Sequence, residues 1–122
     1  MDHNVFSEIT PDIVKLAQMS AQADIIDTEL FTKYDVKRGL RDLNGKGVLA
    51  GLTHISDVRA TEIVDGVSVP AHGQLFYRGY NVKDLVKGYM NDNRFGFEEA
   101  AYLLLFSELP DRDELSRFCE EL

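Results

Sequence analysis

Tryptophan is absent, cysteine occurs once, and proline and histidine occur three times each in 122 residues. A lone thiol, Cys119, excludes an internal disulfide and fits a reducing compartment. Three histidines leave little material for a metal centre. His3 lies in the N-terminal tail, His54 and His72 flank a strand-forming region, and no second histidine or cysteine stands at ligand spacing from either. No metal is therefore expected. Long apolar runs are also missing: "AAYLLLF", Ala100–Phe106, is far too short to span a bilayer. The opening "MDHNVFSEIT" has neither the basic patch nor the apolar run of a signal peptide. A soluble, cytoplasmic protein is expected. Positive charge is in deficit, with 13 Lys and Arg against 21 Asp and Glu and a net charge of −8. That balance disfavours nucleic acid and anionic membranes as partners.

The charge is unevenly placed. Phe95 to Leu122 holds eight acids against Arg112 and Arg117, whereas Lys33 to Lys46 holds five bases against Asp35 and Asp42. An anionic ligand would go to the second segment, through Arg38 and Arg41. A solvated loop is the plainer reading of the same residues. "LNGKGVLAG" carries glycines, but at neither phosphate-loop nor dinucleotide spacing.

At this length one domain with a modest core is possible. Thr10–Pro11 places a capping hydroxyl before a proline at the first helical position, and Ile13, Leu16, Ala17 and Ser20 follow at helical spacing. This predicts a helix over about 11–23. Asp27 then opens a shorter helix carrying Leu30, Phe31 and Tyr34, and glycines at 39, 45, 47 and 51 make a loop. From Val48 the residues favour strand. Asp65–Gly66 between Val64 and Val67 is a two-residue hairpin signal. Pro70 and Gly73 are read as interrupting before "QLFY", so a small antiparallel element is expected. Helices are predicted over about 81–90, about 97–107 and from 111 to the end. Phe97, Ala100, Ala101, Leu104 and Leu105 form one stripe of the middle one, and Tyr102, Leu103 and Phe106 widen it nearly all round. Such a helix is normally covered on several sides.

Asp111-x-x-Glu114 has the form of a capping box, and Leu115, Phe118, Cys119 and Leu122 recur at helical spacing after it. Leaving Leu115, Phe118 and Leu122 wet would forgo about 4–9 kcal/mol, comparable with a domain's whole stability of about 5–15 kcal/mol. A partner chain or further polypeptide is therefore expected on this face. Cys119, on the same face, reads as a small core hydrophobe rather than a nucleophile. Glu98–Glu99 and Glu120–Glu121 point to different helix faces and do not make a paired acid–base site. No complete catalytic constellation emerges.

Three blocks in order carry a resemblance: "KRGLRDLNGKGVLAGLTHISDV", "GQLFYRGYNVKDLV" and "FGFEEAAYLLLFSELPDRDEL". Together they resemble the opening portion of citrate synthases, nearest the bacterial citrate/2-methylcitrate branch, from Tyr34 to Leu122. The resemblance implies a mainly α fold: the helical N-terminal part of the family's large domain, with a small antiparallel β-hairpin. It divides the chain into a helical extension, 1–33, and a truncated large-domain part, 34–122. It also implies a homodimeric parent that condenses acetyl-CoA with oxaloacetate and water to citrate and free CoA. An aspartate and two histidines would do the acid–base work there, and arginines would hold the carboxylates. None of the present positions matches those residues, so no catalytic residue is expected here. Arg38–Gly39 sits where some members place an arginine that meets the CoA phosphates, which makes Arg38 the cofactor-binding candidate. No permanently bound cofactor is implied.

The expected function is thus an N-terminal piece of a citrate synthase-type acyltransferase, inactive alone. Alternatives are a 2-methylcitrate synthase using propionyl-CoA, a non-catalytic helical oligomerisation module, and a CoA or nucleotide binder using Arg38 and Arg41. The expected partners are the remainder of the parent chain and a further copy met through apolar helix faces. The corner at Arg78–Gly79 is expected to be structural, with Arg78 paired to a carboxylate or to helix C-terminal carbonyls.

Overall fold

The computed structural model describes residues 8–37, 39–42, 44–45 and 47–122. These fall into two compact units, one formed by the chain up to Ala23 together with Ile55–Leu122, the other by Asp24–His54. The boundary expected at residues 33 and 34 lies within the second unit.

The larger unit begins with α1, Pro11–Ala23, whose N-terminus is held as its sequence predicts: Thr10 Oγ1 accepts from the Ile13 amide at 3.1 Å. A three-stranded antiparallel sheet follows, in the order β1 (Ser56–Val64), β2 (Val67–Tyr77), β3 (Tyr80–Asn81). Asp65 and Gly66 join β1 to β2 with φ of 52° and 79°, the left-handed pair that a tight two-residue hairpin needs. Three helices complete the unit: α3 (Val82–Asn91), α4 (Phe97–Phe106) and α5 (Arg112–Glu121). The capping box at α5 is complete, with Glu114 N donating to Asp111 Oδ1 at 2.8 Å and Asp111 N to Glu114 Oε2 at 2.9 Å. In the smaller unit, α2 spans Glu29–Lys33, and Asp27 Oδ1 accepts from the Glu29 amide at 2.9 Å.

The architecture is mixed α/β rather than mainly α. Strands of nine and eleven residues make a sheet longer than the small hairpin expected. Its length comes from continuity through Pro70 and Gly73. Between Arg59 and Thr61 the register slips from Arg59↔Gln74 to Thr61↔Pro70. The residues from Ala71 to Gly73 therefore bulge, and the strand resumes on either side. Proline survives here because only Phe76 and Tyr77 of β2 pair with β3, so the second edge of β2 has no strand neighbour at Pro70. Val48–Thr53, read as strand, has no strand structure.

The core is small and aromatic. Tyr102, Phe106 and Phe118 are buried edge-to-face, with centroids 4.6, 5.5 and 5.9 Å apart, and Leu16, Met19 and Ala101 pack against them. Leu103 is fully buried. The buried side of α4 is thus the one bearing Tyr102, Leu103 and Phe106. Phe97 is 75% exposed and Leu105 45%, so the broad stripe is not covered all round. α5 also departs from expectation: Phe118 is buried by the chain itself, Leu115 is half-buried, and Leu122 and Cys119 are exposed. Cys119 lies one position beyond Phe118, about 100° around the helix, which turns it out of the core.

Burial, then the Glu114, Glu108 and Asp111 charges, raises the Tyr102 phenol above its ordinary value of 10.0. Burial, then Glu99, does the same for Tyr89. A raised folded-state value means stability holds below pH 10 and falls as the pH climbs past it, when the unfolded chain ionises first. Phenolate absorbance from Tyr89 and Tyr102 should therefore appear only above pH 10, together with the loss of far-ultraviolet circular dichroism. Circular dichroism that stays unchanged while both phenols ionise would contradict this.

Candidate functional site

The corner at Arg78–Gly79 is the most heavily bonded feature that the sequence singled out. Tyr77 and Tyr80 pair across it, and Arg78 and Gly79 take φ of 47° and 88°. The second value suits glycine, whereas the first is uncommon for a side-chain-bearing residue. Its position aims the guanidinium at two helix ends. Nε and Nη2 donate to the Leu104 carbonyl at 3.0 and 2.8 Å, and Nη1 donates to the Ala23 carbonyl at 3.2 Å. Neither α1 nor α4 has a basic residue in its own last turn. Arg78 supplies positive charge to both C-termini, where the helix dipole favours it. The expected pairing with helix carbonyls is therefore observed, and the corner is a packing device.

The anion-binding candidate lies in the smaller unit. Arg38 itself is outside the described residues. Around it, Lys37 N donates to the Leu49 carbonyl at 2.8 Å, and Arg41 and Gly47 form an antiparallel bridge. A turn from Asp42 to Gly45 closes the loop, with Gly45 at φ 76°. The loop's charge is partly engaged. Lys37 Nζ donates to Asp35 Oδ1 at 2.7 Å, and that hydrogen bond holds the ammonium above its ordinary range. Arg41 Nη1 donates to the Gly45 carbonyl at 3.3 Å. Such a loop presents exposed cations, able to hold an anion electrostatically but not to move a proton.

The remaining candidates are dispersed. His72 Nε2 lies 3.2 Å from Lys83 Nζ at the exposed bulge of β2, while His54 belongs to the other unit. His3 is outside the described residues. Among the described residues no three His, Cys, Asp or Glu side chains group to hold a metal, and no helix is long and apolar enough to cross a membrane. The sequence reading missed one cluster. Tyr89 carries the Arg94 guanidinium 4.9 Å from its ring centre, Arg94 also pairs with Asp92 at 3.1 Å and with Glu99, and the Tyr89 hydroxyl is buried without a hydrogen-bond partner. The spacing Asp92–Arg94–Glu99 was its only signal.

The family described as citrate synthase, C-terminal domain, matches residues 40–122, two of the three blocks in full and most of the first. The chain belongs to the citrate synthase family. It is 37% identical over 89 residues to 2-methylcitrate synthase 2 of Corynebacterium glutamicum, covering 73% of this chain and 18% of that protein. It is likewise 37% identical over 83 residues to 2-methylcitrate synthase 1 of the same organism, covering 68% of this chain and 16% of that one. The chain thus spans less than a fifth of the length of these relatives. No solved structure matches it. The citrate synthase match includes the corner, β1, β2 and the α3–α5 helices but not α1.

Proposed function

We propose that these residues are the opening, scaffolding portion of a CoA-dependent condensing acyltransferase, joining an acyl-CoA to oxaloacetate, and that they do not turn over substrate alone. The observation that carries this reading is the family match over residues 40–122. The engagement of Arg78 by helix carbonyls rather than by an open site is consistent with it. In this reading the basic loop, with Arg38, meets the CoA phosphates, and exposed apolar residues such as Phe95 and Phe97 meet the rest of the enzyme or a second copy. Citrate formation from acetyl-CoA is the activity inferred from the sequence blocks. The names of the two relatives favour a second reading, 2-methylcitrate formation from propionyl-CoA.

Thiol release from acetyl-CoA or propionyl-CoA with oxaloacetate should stay at background for the isolated chain. A chimera in which residues 34–122 replace their counterpart in the Corynebacterium glutamicum enzyme should condense. Turnover by the isolated chain, or a folded but inert chimera, would overturn the proposal. The same assay on the complete protein separates the two acyl-CoAs.

A further inference from the structure

α1 differs from its neighbours in how it is held. It lies outside the family-matched residues, and the Asp24–His54 unit separates it in sequence from the rest of its own unit. None of its residues is buried. Leu16 and Met19 rest half-buried on the aromatic trio. Beside them lies a small cleft of about 30 Å³, lined by Asp12 and Lys15 of α1 and by Glu114 and Arg117 of α5. Packing along the helix is therefore shallow. The polar bonds sit at its two ends: Thr10 Oγ1 donates to Glu121 Oε1 at 3.0 Å, and Arg78 Nη1 donates to the Ala23 carbonyl at 3.2 Å.

The two clamps are unequal in what they leave behind. If α1 lifts away, Arg78 keeps both bonds to the Leu104 carbonyl, so the corner and the end of α4 stay tied. The α5 capping box is internal to α5, and the three aromatic rings contact one another without α1. The rest of the unit keeps its own ties when α1 is absent, as an independently opening element requires.

We infer that α1 is a detachable strap: it opens as a unit, uncovering the Tyr102/Phe106/Phe118 face, while α3, α4 and α5 stay folded.

Native-state hydrogen exchange on the whole chain, resolved by peptide, tests this. The α1 amides should exchange through an opening at least about tenfold more populated than the one that exposes α4. Leu16→Ser should raise the α1 opening by about a further tenfold and leave α4 and α5 unchanged. Thr10→Val, at the far clamp, should act in the same direction without touching the core. If α1 and α4 share one opening constant in the wild type, and Leu16→Ser raises both equally, α1 is an integral part of the core and the inference fails.

Discussion

Phe118→Ala should cost about 3–5 kcal/mol and abolish a cooperative urea transition. The magnitude follows from how little else is buried: Tyr102, Leu103, Phe106 and Phe118 are the buried hydrophobic residues described. Phe118 makes edge-to-face contacts with both other rings, at 5.5 and 5.9 Å. Removing it forfeits its own transfer free energy, two aromatic pairs and the packing of α5 on α4. A domain of this size has a total stability of the same order. The neighbouring Cys119→Ser provides the control, since that side chain is exposed and its replacement should stay within about 0.5 kcal/mol. With no tryptophan in the chain, circular dichroism or tyrosine fluorescence is the readout. Equal effects at 118 and 119 would contradict the assigned face of α5.

Gly96→Ala should destabilise by about 1–3 kcal/mol, although the backbone there, φ −112°, would accept any residue. The cause is a close approach. A methyl group on Gly96 would lie 2.2 Å from Cδ2 and Cε2 of Tyr89 and 2.6 Å from its Cγ. Contact with Cγ means that rotating the ring's far end gives no relief, and the Arg94 guanidinium lies against the same ring. Tyr89→Ala in the same chain should recover part of the loss, because the ring is what the methyl meets. If the double variant is no more stable than the sum of the single effects predicts, the close approach is not the cause.

Features governed by residues next to each other in sequence were legible before the fold was seen. Thr10–Pro11, Asp65–Gly66 and Asp111-x-x-Glu114 each determine their own backbone through a bond or a left-handed pair a few residues long, and the structure has all three. The three blocks were legible for a different reason, as a family pattern rather than as local chemistry. What failed depended on distant neighbours. Whether Pro70 ends a strand depends on the strand beside it, and a bulge together with an open edge accommodated it. Which side of α4 is inward depends on where α1 and α5 lie, so a helix apolar all round gave no direction. Gly96 carries no signal of its own, because its constraint is a tyrosine seven residues earlier. Arg78 was readable in kind, as a partner of helix carbonyls, but the choice of Leu104 and Ala23 required the tertiary structure.

Every residue of β1 faces water, and Val58 and Ile63 are each 72% exposed. A ribbon without backing is a template on which other extended chains can add, the first step toward aggregation. Asp57, Arg59 and Glu62 interrupt β1 with charge, and Pro70 removes a donor from the outer side of its partner strand. These four residues, through charge and a missing donor, act as gatekeepers that oppose such strand addition.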